Sequence, residues 1–148
     1  MITSLKLLRH FGTSLPAEVF HFSNQEEPVT LSNLDELTKL GATVREVVGV
    51  KKEADADRSK SFHIKGAAMV QSSFEQILML DSDNLPAADI EPLFDGPGYR
   101  QAGALFWPDF WREDGANAVW AILGVQCRDE WTMEAGQILI DKSRHMDA

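Results

Sequence analysis

Cysteine is nearly absent from this sequence of 148 residues, in which Cys127 is the only one. A single thiol excludes an internal disulfide, a disulfide framework and a cysteine-based zinc site. Cysteine content does not decide the compartment, because a cysteine-poor lumenal protein and a cytosolic protein are alike by this measure.

Basic residues are also few, with 14 Lys and Arg against 23 Asp and Glu. The formal net charge is -9 and the isoelectric point lies near 4.8. Binding to nucleic-acid phosphates requires a basic face, so no nucleic-acid partner is expected. A negatively charged substrate would need a bound cation or a local group of Lys and Arg.

Long apolar runs are missing as well. No run reaches the roughly 18 residues of a membrane span, and residues 1–8 lack the pattern of a signal peptide. We therefore expect no membrane segment and no signal anchor in this chain, which is either cytosolic or a fragment without its targeting segment. The 44% hydrophobic content and mean hydropathy of -0.20 suit one globular domain of unknown oligomeric state.

Helical and extended patterns alternate along the first half of the chain. Apolar residues recur at helical spacing over 2–11, and a strand is predicted over 18–22. Leucine at every third position over 31–40 predicts a second helix, and a second strand is predicted over 43–48. This order of elements predicts an α/β sheet.

The second half contains a charged stretch and short apolar runs. Residues 51–60 are rich in charge without apolar periodicity, which predicts an exposed surface loop. A helix is predicted over 62–72, and the apolar run 77–80 predicts a strand that is buried on both faces. Two more apolar runs follow, at 102–107 and 137–140.

The strand at 77–80 ends in Asp81-Ser82-Asp83. Because side chains alternate along a strand, Asp81 and Asp83 are expected to project to one side. Two close carboxylates repel unless a cation or proton lies between them, and hard oxygen ligands favour Mg²⁺, Mn²⁺ or Ca²⁺. Ligands of open α/β sheets bind at the carboxyl ends of strands. The motif therefore predicts a metal site at Asp81 and Asp83.

Three other interpretations compete with a metal site. A short Asp-x-Asp motif often only caps a turn or a helix, and Asp55-Ala56-Asp57 in the charged stretch is interpreted in that way. A calcium EF-hand loop is excluded, because Leu85 and Pro86 replace the required ligand and glycine. A haloacid-dehalogenase-type phosphatase also places two aspartates after an apolar strand. Its usual Gly-Thr continuation is absent, so this alternative ranks last.

Five blocks of sequence between Lys65 and Lys142 occur together in one order. They are residues 72–75 (SSFE), 80–86 (LDSDNLP), 93–95 (LFD), 103–111 (GALFWPDFW) and 134–138 (EAGQI). In this order the blocks resemble the fungal α-mannosyltransferases of glycosyltransferase family 71. Five ordered blocks are a far more specific signal than one short motif.

The resemblance implies a GT-A-like fold, a Rossmann-type core for nucleotide-diphospho-sugar transferases with a mostly parallel sheet flanked by helices. Here the core is incomplete, and residues 1–148 form one partial domain. The implied function is metal-dependent transfer of mannose from GDP-mannose to a mannose-containing glycoprotein glycan, with Mn²⁺ or Mg²⁺ and retention of the α configuration. The implied location is the Golgi lumen or membrane. Because family members have several hundred residues, the alternative is a non-catalytic truncated remnant.

Candidate site residues follow from the motif and the resemblance. Asp83 is expected to bind the metal, and Asp81 is either a second ligand or a partner for the ribose. The remaining donor-binding candidates are Lys65, Ser82, Gly136 and Gln137.

Acceptor binding and catalysis are assigned to the last two blocks. Trp107, Asp109 and Trp111 suit a sugar, since aromatic rings stack on its face and a carboxylate accepts its hydroxyl hydrogens, whereas Phe106 and Phe110 are assigned to core packing. Glu134 and Asp109 are the catalytic candidates. Retention proceeds either through a covalent intermediate on Glu134 or by front-face transfer, and the sequence leaves both routes open.

Overall fold

A computed structural model describes residues 1–23, 31–52 and 61–146 of the chain. The elements in chain order are α1 (Ile2–His10), β1 (Ala17–Phe22), α2 (Leu31–Lys39), β2 (Ala42–Val47), α3 (His63–Gln71), β3 (Gln76–Leu80), a 3₁₀ helix (Glu91–Asp95), α4 (Pro97–Ala102), β4 (Ala104–Arg112), α5 (Ala118–Leu123), β5 (Trp131–Asp141) and α6 (Lys142–His145). The helices and strands predicted for the first half are confirmed. Of the predicted charged loop at 51–60, Lys51 and Lys52 are exposed and the rest lies outside the described residues.

β1 and β2 form a parallel pair that extends from Ala17 opposite Ala42 to Phe22 opposite Val47. Gly41 precedes β2 with a φ of 75°, a backbone conformation that glycine adopts without strain. This glycine therefore lets the chain leave α2 and enter β2 directly.

Helices cover both faces of this pair. On one face, Leu5 and Leu8 of α1 and Leu37 of α2 pack with Ala42 in a buried cluster that Val19 also contacts. Burial of one such leucine side chain contributes about 1.5–3 kcal/mol. The opposite face of β1 meets α3, as the contact between the rings of Phe22 and His63 shows.

β3, β5 and β4 form a second sheet in that order, and both of its pairs are antiparallel. The prediction of a mostly parallel sheet is therefore wrong for this part of the chain, and among the described strands only β1 and β2 pair in parallel. Apolar runs reveal that a strand is buried but not its direction, which depends on the connections between strands. The fold is a mixed α/β structure that is compatible with an incomplete glycosyltransferase core.

Glu18 joins the two sheets. Its carboxylate accepts hydrogen bonds from Ser72 Oγ at 2.7 Å, from Ser73 N at 3.1 Å and from Ser73 Oγ at 2.8 Å, and Arg45 lies 2.6 Å away. Only 7% of the Glu18 side chain is exposed. Burial raises the pKa of this carboxyl, but the bonds from Ser72, Arg45 and Ser73 outweigh burial and hold it below the ordinary 4.5.

The outer halves of β4 and β5 extend beyond β3 and carry large exposed apolar side chains. Phe110 is 90% exposed and Phe106 is 47% exposed, so the assignment of these two residues to core packing is wrong. Phe110 lies in the outer half of β4, whereas Phe106 lies level with β3, opposite Ile138 of β5. None of the described helices combines the length and the apolar character that a membrane crossing requires.

Candidate functional site

The acidic motif forms a turn directly after β3. β3 ends at Leu80, and the N–H of Asn84 donates to the carbonyl of Asp81 at 3.0 Å. Asp81 and Asp83 therefore belong to a turn, where the regular alternation of strand side chains does not apply. Asp81 is partly buried beside the sheet, whereas Ser82 and Asp83 are exposed to solvent.

The carbonyl of Gly136 on β5 holds this acidic turn. It accepts hydrogen bonds from the N–H of Asp81 at 2.8 Å and from Nδ2 of Asn84 at 2.9 Å. Gln137, the next residue, pairs with Leu80 in the ladder between β3 and β5. Residues 136 and 137 are thus beside the acidic motif, as the prediction of a shared donor site requires.

Asn84 helps to hold the turn, a role that was not predicted from the sequence. Its position directly after the acidic pair could have indicated this role, because Asn side chains commonly hydrogen-bond backbone groups in turns. At the other side of the turn, the carbonyl of Ser82 accepts a hydrogen bond from Ser4 Oγ at 3.2 Å and one from the N-terminal amine of Met1. The turn is therefore held by both α1 and β5.

An irregularity in β5 brings Glu134 to the same place. Phe106 pairs with Ile138, but Pro108 pairs with Met133, so the register of β4 and β5 shifts between them. Only Trp107 of β4 is opposite residues 134–137 of β5. The additional β5 residues form a bulge, a feature that often re-aims side chains beside active sites.

Glu134 and Asp81 converge on Gly136. Glu134 Oε1 accepts a hydrogen bond from the N–H of Gly136. A Cβ at position 136 would lie 2.5 Å from Glu134 Oε1 and 3.4 Å from Asp81 Oδ2, so a larger residue would displace the Glu134 carboxylate. Glu134 Oε2 is buried without a hydrogen-bond partner among the described residues. A buried carboxylate oxygen in this state favours a donor or a cation beside it.

Lys65 on α3 supplies the positive charge of the site. Its ammonium nitrogen is 2.8 Å from each carboxylate oxygen of Asp81 and donates to the carbonyl of Ala135 at 2.9 Å. The ring of Phe62 lies 5.3 Å from the same nitrogen, within the range of a cation–π contact. The structure therefore brings together Lys65, Asp81 and the 134–137 bulge.

The predicted acceptor residues line the exposed half of β4. The carboxylate of Asp109 accepts hydrogen bonds from the N–H of Phe110 at 2.7 Å and from Nε1 of Trp111 at 2.9 Å. Asp109 thereby orients the indole of Trp111, a side chain that is 67% exposed. Trp107 is closer to the acidic turn along the strand, opposite the bulge that contains Glu134.

The carboxylates at this site fit the coordination of a hard divalent cation only in part. Across residues 1–23, 31–52 and 61–146, no group of three or more His, Cys, Asp and Glu side chains has the arrangement of a metal site. Asp81 is paired with Lys65, and Asp83 is the exposed carboxylate of the turn. A cation bound here would complete its coordination with diphosphate oxygens and water, as Mg²⁺ sites commonly do.

Comparison with known proteins identifies the family. The family described as mannosyltransferase (Mannosyl_trans3) matches residues 1–130, which is most of the chain. The chain belongs to this mannosyltransferase family. The membership predicted from the five blocks is thereby confirmed. The matched range includes Lys65 and the acidic turn, whereas Glu134 and Gly136 lie beyond its end.

Three yeast relatives are similar to most of this mannosyltransferase-family chain. Alpha-1,2-mannosyltransferase MNN2 of Saccharomyces cerevisiae is 31% identical over 123 residues, covering 82% of this chain and 20% of that protein. For MNN21 of Candida albicans the identity is 34% over 119 residues, with coverages of 75% and 18%. For MNN5 of Saccharomyces cerevisiae it is 29% over 124 residues, with coverages of 82% and 21%. The chain thus spans about a fifth of the length of these relatives. No solved structure matches it.

Proposed function

We propose that this chain is the donor-binding portion of a metal-dependent α-1,2-mannosyltransferase that uses GDP-mannose and acts on mannose-containing glycans of glycoproteins. The observation that carries the proposal is the group formed by Lys65, Asp81, Gly136 and Glu134 at the carboxyl end of β3. Two further facts support it, the family membership and the names of the relatives. The proposed location is the Golgi lumen, and the proposed fold is of the GT-A type.

The residues of the chain have separable roles in this proposal. Asp83, with Asp81 as second ligand, would hold Mn²⁺ or Mg²⁺, which stabilises negative charge on a diphosphate leaving group. Lys65 adds a positive charge on the other side of Asp81. Trp107 and Trp111 stack on the acceptor sugar, and Asp109 accepts hydrogen bonds from its hydroxyls.

The reaction is proposed to retain the α configuration by front-face transfer. The bond from the Gly136 N–H to Glu134 Oε1 favours this route, because it directs Glu134 toward holding the bulge rather than toward attack on a sugar. The covalent route through Glu134 remains the alternative. The two routes differ in one measurement, since only the covalent route forms a mass-detectable mannosyl-enzyme on Glu134.

Calorimetric titration of the folded chain tests the proposed donor site. GDP is expected to bind in the presence of Mn²⁺ and not in the presence of a chelator, and UDP is expected to bind more weakly. Asp83→Asn should weaken Mn²⁺-dependent binding about tenfold or more, which is about 1.4 kcal/mol. Asp95→Asn is the matched control, because Asp95 forms an exposed pair with Arg100. Unchanged binding by Asp83→Asn would disprove the metal assignment.

A second candidate function is donor binding without turnover, by a non-catalytic remnant of such an enzyme. It is considered because the group formed by Lys65, Asp81 and Gly136 concerns the donor, and donor binding does not by itself require transfer. A radiolabelled transfer assay with GDP-mannose and a mannose disaccharide distinguishes the two. Binding without transfer supports the remnant, and transfer supports the enzyme. Nothing in the comparisons favours the phosphatase alternative.

A further inference from the structure

The outer end of the β4–β5 ribbon carries a second exposed indole, that of Trp131. This residue begins β5 and lies opposite Arg112, the last residue of β4. Trp131 is 52% exposed, and the guanidinium carbon of Arg112 lies 4.4 Å from the centre of its ring. Arg112 therefore lies over one face of the indole, and the rest of the ring is open to solvent.

A carboxylate fixes the arginine behind this indole. Arg112 Nη1 pairs with Asp129 Oδ1 at 2.5 Å, and the side chain of Asp129 is 85% exposed. A guanidinium held in this way restricts the rotation of the ring that it covers. Binding costs less entropy when an aromatic side chain is already oriented. We call Arg112, Asp129 and Trp131 together the Trp131 platform.

The neighbouring strand has the same combination of an indole and a carboxylate. Nε1 of Trp111 donates to Asp109 at 2.9 Å, and Trp111 is 67% exposed. Thr132 Oγ connects the two strands at this level by donating to the carbonyl of Trp111 at 3.1 Å. Because neighbouring strands are about 4.8 Å apart, a ligand of several linked sugar units can contact both indoles.

The charge of this end of the ribbon selects among possible ligands. Acidic residues outnumber basic ones over 109–131, where Asp109, Glu113, Asp114, Asp129 and Glu130 face only Arg112 and Arg128. This excess of negative charge disfavours a phosphorylated ligand and an anionic membrane surface. A neutral glycan fits, because its C–H faces stack on indole rings and its hydroxyl groups donate to carboxylates.

We propose that the Trp131 platform binds a neutral hexose unit of an extended glycan, at a position separate from the contact formed by Trp111 and Asp109. The inference rests on the proposed function, because the glycan concerned is the acceptor. A chain of several mannose units contacts Trp111 and Trp131 together, whereas a single mannose unit contacts one of them. Trp131 thereby makes the ribbon select long acceptors over short ones.

An NMR titration of the folded chain tests the platform. The chain has four tryptophans, whose indole N–H signals can be followed separately. An α-linked mannose hexasaccharide is expected to shift the signals of Trp111 and Trp131. In Trp131→Ala, the hexasaccharide affinity measured at the Trp111 signal should fall about tenfold. The affinity for methyl α-mannoside, measured at the same signal, should not change. Trp131→Phe retains an aromatic ring and should lose less affinity than Trp131→Ala.

Phe110→Ser is the matched control, because Phe110 is another exposed aromatic residue of the same ribbon. It should bind the hexasaccharide as the unaltered chain does. An equal loss of affinity in Phe110→Ser and Trp131→Ala would overturn the proposal, since it indicates adhesion to any apolar surface. A Trp131 signal that the hexasaccharide does not shift would overturn it as well.

Two further features of the titration keep its outcome clear. The signals of the other three indoles show whether Trp131→Ala remains folded. GDP and Mn²⁺ are absent from these titrations, so a failure of donor binding does not alter their result. In the same way, an unshifted Trp131 signal rejects the Trp131 platform and leaves the proposed donor site in place.

Discussion

At the scale of single residues, the site depends on a few contacts that connect three elements. Lys65 reaches from α3 to Asp81 after β3 and to the carbonyl of Ala135 on β5. The carbonyl of Gly136 accepts hydrogen bonds from the acidic turn. A Cβ atom added at Gly136 would lie next to the carboxylates of Glu134 and Asp81. One substitution at Lys65 and one at Gly136 each alter these contacts, and each change has a measurable consequence.

Lys65→Met removes the ammonium group and retains most of the side-chain length. Asp81 then loses its partner in a half-buried site, and the proposed donor site loses a positive charge. We expect Mn²⁺-dependent binding of GDP to weaken about tenfold, measured by calorimetry. Lys39→Met is the control, since Lys39 pairs with Asp35 on the exposed face of α2 and such pairs contribute little. Equal binding by the two variants would exclude Lys65 from the donor site.

Gly136→Ala should be destabilising, because the new Cβ approaches Glu134 Oε1 to 2.5 Å and Asp81 Oδ2 to 3.4 Å. Because the Glu134 carboxylate must move aside and give up its bond from the Gly136 N–H, the expected loss is about 0.5–1.5 kcal/mol in the free energy of unfolding, measured by urea titration. Gly66→Ala is a contrasting variant, because nothing lies within 4 Å of that Cβ position. In the interior of α3 it should stabilise by about 0.5–1 kcal/mol. A neutral Gly136→Ala would show that the Glu134 carboxylate moves aside without loss of stability.

At the scale of elements, the connection between α3 and β3 decides where Lys65 and Asp81 lie. Ser72 and Ser73 occupy this connection, and Glu18 of β1 binds both. Lys142 donates to the carbonyl of Ser72 at 2.6 Å and thereby ties the same connection to the end of β5. Glu18 thus connects the parallel pair to the segment that enters the antiparallel sheet.

The Glu18 contact predicts a pH dependence of stability. Its folded pKa lies below the ordinary 4.5, so its stabilising effect is present above about pH 4.5 and is lost as the pH falls through the folded pKa. Glu18→Gln should cost about 1–3 kcal/mol at pH 7 and much less near pH 3, measured by urea unfolding. Glu36→Gln serves as the control because its pair with Lys6 is exposed. A cost that does not change with pH would contradict this role of the carboxylate.

At the scale of the whole molecule, the chain combines a buried region with an exposed one. The helices around β1 and β2 enclose the apolar cluster, while the outer halves of β4 and β5 carry exposed aromatic side chains. This asymmetry is consistent with a segment that covers about a fifth of its relatives' length. Large exposed apolar areas are typical of surfaces that contact another part of a protein or a ligand.

Phe110→Ser tests that description of the exposed region. Phe110 is 90% exposed, so its replacement should change the free energy of unfolding by less than about 0.5 kcal/mol. Fluorescence of a hydrophobic dye bound to the folded chain should fall. Leu37→Ala is the opposite case, because Leu37 is fully buried and its truncation should cost about 2–5 kcal/mol. A large loss of stability in Phe110→Ser would mean that the outer strands are packed in solution.

Local order was predictable from the sequence for clear physical reasons. The leucine spacing of α2 marks the face of that helix that is buried, and the short apolar run of β3 marks a strand. Both patterns depend only on residues that are close together in the sequence. The ordered blocks identified the family as well, and the family match confirms it. Lys65, Asp81, Gly136 and Gln137 were predicted as one donor group, and the structure brings them together.

The sequence by itself thus determined the elements of the first half, the family and the residue types of the site. Tertiary structure alone decided the antiparallel direction of β4 and β5, the exposure of Phe110 and the contact of Asn84 with Gly136. These features depend on pairings between residues that are far apart in the chain, and no local pattern encodes such pairings. The β5 bulge is the clearest case, because it exists only relative to the register of β4.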